Sequence, residues 1–169
     1  FSKDIIAKLE PELLISIERC APDGNGVYRN MRDLDISDNT AKIDLLFELH
    51  DNTIGIGDGG NEIGMGNIRT GIVNSNTLVS YPVVTTTNQL IISSVSNWGG
   101  LGLVAALSLK SGHNLLPSAS DHSDAIKTIV DLGAVDGVSG IRDYLVDGFS
   151  IPENLVVLRK LNDYVNSNI

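Results

Sequence analysis

From Ile63 to Ser120 the chain carries no aspartate or glutamate, and its only lysine and arginine there are Lys110 and Arg69. A stretch this long with two formal charges is expected to be mostly interior, or to line a cleft. Thirteen of the 21 acidic residues lie in the first 62 positions. The pattern is a polar flank, a buried centre and a second polar flank, with no linker, repeat or low-complexity tract between them.

At 169 residues the chain is long enough for one domain with a proper core, and we expect a single α/β domain over 1–169. A net charge of -9 argues against nucleic-acid binding through a general basic surface and against an anionic membrane partner. The longest apolar run, Trp98 to Leu109, falls short of the ~20 residues that span a bilayer. The single cysteine, Cys20, leaves no intramolecular disulfide and no CxxC metal site. A reducing compartment is expected: the cytoplasm, or the mitochondrial matrix in a eukaryote.

Short apolar runs at Leu13–Ile17, Thr53–Gly57 and Leu90–Val95 read as buried strands. Helical spacing predicts helices over 3–10, 38–50 (capped by Ser37), 98–110, 123–132 and 152–166. Strands alternating with helices imply an α/β fold, a Rossmann-like three-layer sandwich with a mainly parallel sheet. In such sheets ligands bind beyond the carboxyl ends of the strands. Three loops stand there, after Ile17, Gly57 and Val95.

Gly55-Ile-Gly57-Asp-Gly-Gly60 satisfies G-x-G-x-x-G, but its first two glycines fall inside the expected strand. No acidic residue follows at the distance needed for ribose hydroxyls, so a dinucleotide cofactor is not expected. The same loop carries Asp58 and Glu62 on either side of Gly59, Gly60 and Asn61. Two carboxylates and an amide beside an uncharged cleft suit an acid/base pair, or ligands for a divalent cation such as Mn²⁺ or Mg²⁺. Were Asn61 to cap a helix, its first amides would favour a substrate carboxylate. Glu18 and Arg19 close the first strand, while Tyr28, Asn30 and Arg32 follow in a loop where Arg32 could grip a carboxylate. Asn97 and Gly99 follow the third strand, and Asp136 sits in a further glycine-flanked loop. These groups suit proton transfer on a small polar substrate.

Four stretches taken together resemble one known family: Glu18-Arg19 with Gly26-Val-Tyr28-Arg-Asn30-Met31-Arg32; Gly55 to Asn67; Val95-Ser96-Asn97-Trp98-Gly99-Gly100; and Gly133 to Gly140. Their order and spacing are similar to the D-glutamate cyclase C-terminal domain family, from about residue 11 to 165. The resemblance implies a hydro-lyase that closes D-glutamate, a small acidic amino acid, to 5-oxo-D-proline with loss of water. It implies Asp58 and Glu62 as catalytic or cation-holding carboxylates. Substrate contacts would come from Glu18, Arg19, Tyr28, Asn30, Arg32, Gly59, Gly60, Asn61, Asn97, Gly99 and Asp136. Relatives usually carry a further segment of roughly a hundred residues first. Because the chain opens on Phe1, it is expected to be the C-terminal part of a longer protein, with a homodimer or that segment covering exposed apolar surface. Relatives are also expected to hold an acidic residue near Thr85–Asn88, where this chain has none. The competing readings are a non-catalytic Rossmann-like domain that binds a small acidic metabolite, and a scaffold whose glycines serve backbone geometry alone.

Overall fold

A computed structural model describes all of residues 1–169. The internal contacts divide into two compact units, Phe1–Gly99 and Gly100–Ile169. The fold is α/β. No helix is long and apolar enough to cross a membrane.

The first unit is built on a three-stranded sheet of β1 (Leu14–Ile17), β2 (Thr53–Gly57) and β3 (Gln89–Ile92), in that order. Both pairings are parallel, with Ile17 opposite Ile56 and Gly57 opposite Ile92. All three carboxyl ends therefore lie on one side, as the sequence predicts. The central strand β2 has one residue, Ile54, that escapes full burial. This is the pattern of a strand covered on both faces. Helices α1 (Ser2–Leu9), α2 (Asp44–Phe47) and α3 (Arg69–Val73) belong to this unit, and α4 (Ser96–Ser111) begins in it. Its core gathers Ala21, Ile63, Met65, Ile72, Val79 and Val83. Burying each larger aliphatic side chain of this set is worth about 1.5–3 kcal/mol.

The Gly-x-Gly pattern of β2 proves to be a packing device. A methyl group at Gly55 would collide with the Ile63 carbonyl oxygen and come within 2.8 Å of the Gly64 Cα. The segment after Gly60 thus folds back directly over the strand, where any side chain would hold it off. Gly57 is packed in the same way, with a methyl there coming within 2.8 Å of Met65 Cγ.

The expected helix over 38–50 is a correction. The structure has a 3₁₀ turn at Ser37–Asn39, extended backbone at Thr40, and only the single turn α2. Ser37 does not cap a helix; its hydroxyl accepts the Tyr28 N–H at 3.0 Å. The third strand ends at Ile92, earlier than the apolar run through Val95 suggests.

The second unit contains α5 (Ala119–Asp131), a hairpin of β4 (Leu145–Val146) and β5 (Phe149–Ser150), and α6 (Ile151–Asn166). Ser118 caps α5 by accepting the Asp121 N–H. A Ser150–Glu153 capping box with proline in the first turn starts α6. The Asn114 amide, just before α5, donates to Asn162 and Asn166 of α6, both at 2.8 Å.

Candidate active site

The loop after β1 and the loop after β2 are stitched together by backbone pairing. Ala21 N–H donates to the Asn61 carbonyl at 3.0 Å, Ile63 N–H donates to the Arg19 carbonyl at 2.8 Å, and Cys20 bridges Glu62 antiparallel. This brings the Glu18 and Asp58 carboxylates to the same side of the sheet, with an oxygen of each within 4.8 Å of the other. Glu18 is exposed and adopts φ 59, a left-handed conformation rare for a residue with a side chain. Such strain at a strand end is characteristic of functional positions.

Asp58 is half-buried, and its Oδ2 accepts from both the Ser96 N–H (2.9 Å) and the Ser96 Oγ (3.2 Å) at the start of α4. The partial positive charge of a helix amino end favours a carboxylate at that place. Glu62 is buried, 3% exposed, and its carboxylate is cupped by the backbone of its own loop. Oε1 accepts from Gly59 N–H at 2.9 Å and from Asp58 N–H at 3.4 Å, and Oε2 accepts from Gly60 N–H at 2.7 Å. Burial pushes the Glu62 carboxyl above its ordinary value; the Gly59 and Gly60 amides oppose this and a hydrogen bond with the Asp58 carboxyl adds to it. The upward push wins because desolvation is the largest effect. Asp58 and Glu62 are thus two carboxyls of one loop held differently: Asp58 by Ser96 at the start of α4, Glu62 by the amides of its own loop.

Gly59 and Gly60 supply the two shortest amides of that cup. Gly60 has φ 109, and a side chain there would come within 2.9 Å of Ile72 Cγ2. Asn61 does not cap a helix, because the chain runs on to a 3₁₀ turn only at Met65–Ile68; its amide donates to the Arg29 carbonyl at 3.0 Å.

The remaining candidates have other partners. The Arg19 guanidinium donates through Nη2 to the Ala41 carbonyl at 2.7 Å. Tyr28 is buried and donates its hydroxyl to Asp44 Oδ1 at 2.7 Å; burial, then the Asp44 carboxylate, push that hydroxyl far above its ordinary value. Asn30 closes a turn by accepting the Arg32 and Leu34 N–H groups. Arg32 itself is exposed. Asn97 is exposed in the first turn of α4, and Gly99 is a close-packing position where a methyl would come within 2.8 Å of Ile56 Cγ2. In the second unit, Asp136 is buried and closes a turn by accepting the Ser139 and Gly148 N–H groups at 2.7 and 2.9 Å. Burial pushes its carboxyl up, but these hydrogen bonds outweigh it and leave the group below its ordinary value.

Sequence reasoning passed over two residues. Arg29 pairs with buried Asp23 at 2.9 Å and lies 4.5 Å over the Tyr81 ring, so it fixes the loop that Arg32 decorates. Only the nearness of Asp23 in sequence hinted at it. Ser96 was visible in the Ser-Asn-Trp-Gly-Gly stretch, but nothing in the sequence tied it to Asp58.

The Thr85–Asn88 segment lies at the amino end of β3, where Asn88 Oδ1 accepts from Thr53 N–H and Oγ1 at 2.8 and 2.7 Å. It is at the opposite end of the strands from Asp58, so an acidic residue there would not join the carboxylate cluster.

Comparison with known proteins places the chain in a family. The profile of the family described as D-glutamate cyclase-like, C-terminal matches residues 2–162. The human protein named D-glutamate cyclase, mitochondrial is 31% identical over 125 residues, covering 69% of this chain. The match covers 19% of the human protein's own length. The chain therefore belongs to the D-glutamate cyclase-like C-terminal family.

Proposed function

We propose that this chain is a hydro-lyase of the D-glutamate cyclase type, closing D-glutamate to 5-oxo-D-proline and releasing one water. Family membership supports the enzyme class. The observation that carries the reading is the carboxylate cluster at the carboxyl ends of the strands, with Asp58 held by Ser96 beside Glu18 and Glu62 in its amide cup behind.

The substrate ammonium must give up two protons in all, one before its nitrogen attacks the side-chain carboxyl carbon and one after, and a carboxyl oxygen must leave with two protons as water. Asp58 is the member of the pair that solvent reaches, so it takes the proton from the substrate ammonium. Glu62 is sealed from substrate and acts only through Asp58, which passes the protons taken from the nitrogen to the departing oxygen. Burial, which raises the Glu62 carboxyl, favours its keeping a proton behind Asp58.

A divalent cation fits part of this set. Glu18 and Asp58 could ligate it, whereas both Glu62 oxygens are taken by backbone amides. Bound there, the cation would polarise the substrate carboxyl as a Lewis acid. Proton NMR of D- and L-glutamate incubated separately with the protein, with and without Mn²⁺ or Mg²⁺, tests the proposal. Product from the D-isomer alone is expected. Tight binding of D-glutamate with no product would instead favour a metabolite-binding domain.

A further inference from the structure

We infer that Ser96 is a positioning residue whose hydroxyl and amide lock the Asp58 carboxylate into one orientation for proton transfer. The inference rests on the proposed function of the same site and adds to it a residue from a different element.

Ser96 is fully buried at 0% exposure, yet it is polar and sits at the first position of a sixteen-residue helix. Its N–H has no partner within the helix at that position, and Asp58 Oδ2 provides one at 2.9 Å. An alanine could make that backbone bond equally well. The side chain does something more. Its Oγ turns to the same Oδ2 at 3.2 Å, and no other acceptor takes it. Two donors on one oxygen fix the carboxylate about its last torsion, which is otherwise broad and roughly two-fold. With both Ser96 donors on Oδ2, Oδ1 is the oxygen that remains for proton transfer.

The arrangement also accounts for the close packing behind it. Val95 is fully buried and its carbonyl accepts the Trp98 and Gly99 N–H groups, while Gly99 lies close against Ile56 of β2. The start of α4 is therefore anchored to the strand that ends in Asp58. A misplacement of about 1 Å at a reacting group is enough to lose ~100-fold in rate. A hydroxyl that prevents such drift acts on turnover, with little effect on substrate affinity.

The test compares the wild type with Ser96→Ala and Ser96→Thr. Ser96→Ala is expected to lower kcat about tenfold or more with KM unchanged within about twofold, and Ser96→Thr, which restores the hydroxyl, to recover most of the loss. Equal kcat in wild type and Ser96→Ala overturns the inference, as does a fall in kcat that merely follows a fall in melting temperature. If the wild type does not convert D-glutamate, the proposed reaction fails, and Ser96 is then judged by carbon-13 NMR of the Asp58 carboxyl. A resonance that moves in Ser96→Ala and returns in Ser96→Thr supports the lock, and one that is the same in all three proteins refutes it.

Discussion

Replacing Glu62 by glutamine tests whether the buried carboxylate holds its loop. Glutamine keeps the length and shape of the side chain and turns one oxygen into an NH₂ group. One oxygen can still accept from Gly60 N–H, the shortest contact at 2.7 Å. The NH₂ then faces the Gly59 N–H, which in the wild type donates at 2.9 Å. Two donors face each other in a site where Glu62 is 3% exposed, so water cannot relieve the mismatch. An unsatisfied buried donor costs about 1–3 kcal/mol. The cost depends on pH. Burial raises the Glu62 carboxyl above its ordinary value of 4.5, so the folded protein binds this proton more tightly than the unfolded chain does. Its contribution is full below that ordinary value and is lost as pH rises through the raised one. Glutamine has no proton to lose, so Glu62→Gln is expected to be most destabilising in acid and less so at neutral pH. Urea unfolding followed by Trp98 fluorescence and far-ultraviolet circular dichroism, at both pH values, measures this. A variant within about 0.5 kcal/mol of wild type at both pH values refutes the amide cup as a structural element.

Gly60→Ala places a methyl on backbone with φ 109 and against Ile72 and Val79; we expect a loss of roughly 2–4 kcal/mol in the same unfolding assay. Tyr28→Phe removes the donor to buried Asp44, whose other oxygen already lacks a partner, and should cost about 1–3 kcal/mol. Asp23→Asn breaks the pair with Arg29. Burial pushes the Asp23 carboxyl up, but the Arg29 hydrogen bond and two backbone amides outweigh it, so the group lies below its ordinary 3.8. The stability that Asp23 contributes is present above that value and lost as pH falls through the lowered one; the gap between Asp23→Asn and wild type should therefore close in acid.

Much of the fold is legible in the sequence because short apolar strands leave a local imprint, although only β2 is buried along most of its length and β1 and β3 leave Ile15, Ile17 and Ile92 exposed. Leu13–Ile17 and Thr53–Gly57 are apolar or small throughout, and the helices from Trp98, Ser123 and Pro152 have regular spacing or caps. The helix over 38–50 fails because Ile43, Leu46 and Phe47 satisfy one turn as well as three. What decides between them is non-local: Ser37 accepts from Tyr28, and Asp44 is drawn inside to meet the Tyr28 hydroxyl. Asp58 and Glu62 stand out by spacing, but their unequal roles do not. Glu62 is sealed by amides that converge only because Gly60 takes a positive φ, and Asp58 is held by Ser96, 38 residues away in sequence. Asp23 stands near Arg29 in sequence, but only the fold shows that the two are paired.

The most direct test of the central claim is the turnover of D-glutamate by Asp58→Asn, read as 5-oxoproline formation against wild type. Asparagine preserves shape and can still accept from Ser96, so the fold should survive, as circular dichroism would report. The account predicts a fall in kcat on the order of 100-fold or more, the scale of a lost general base. A folded Asp58→Asn protein that forms 5-oxoproline at the wild-type rate would contradict it.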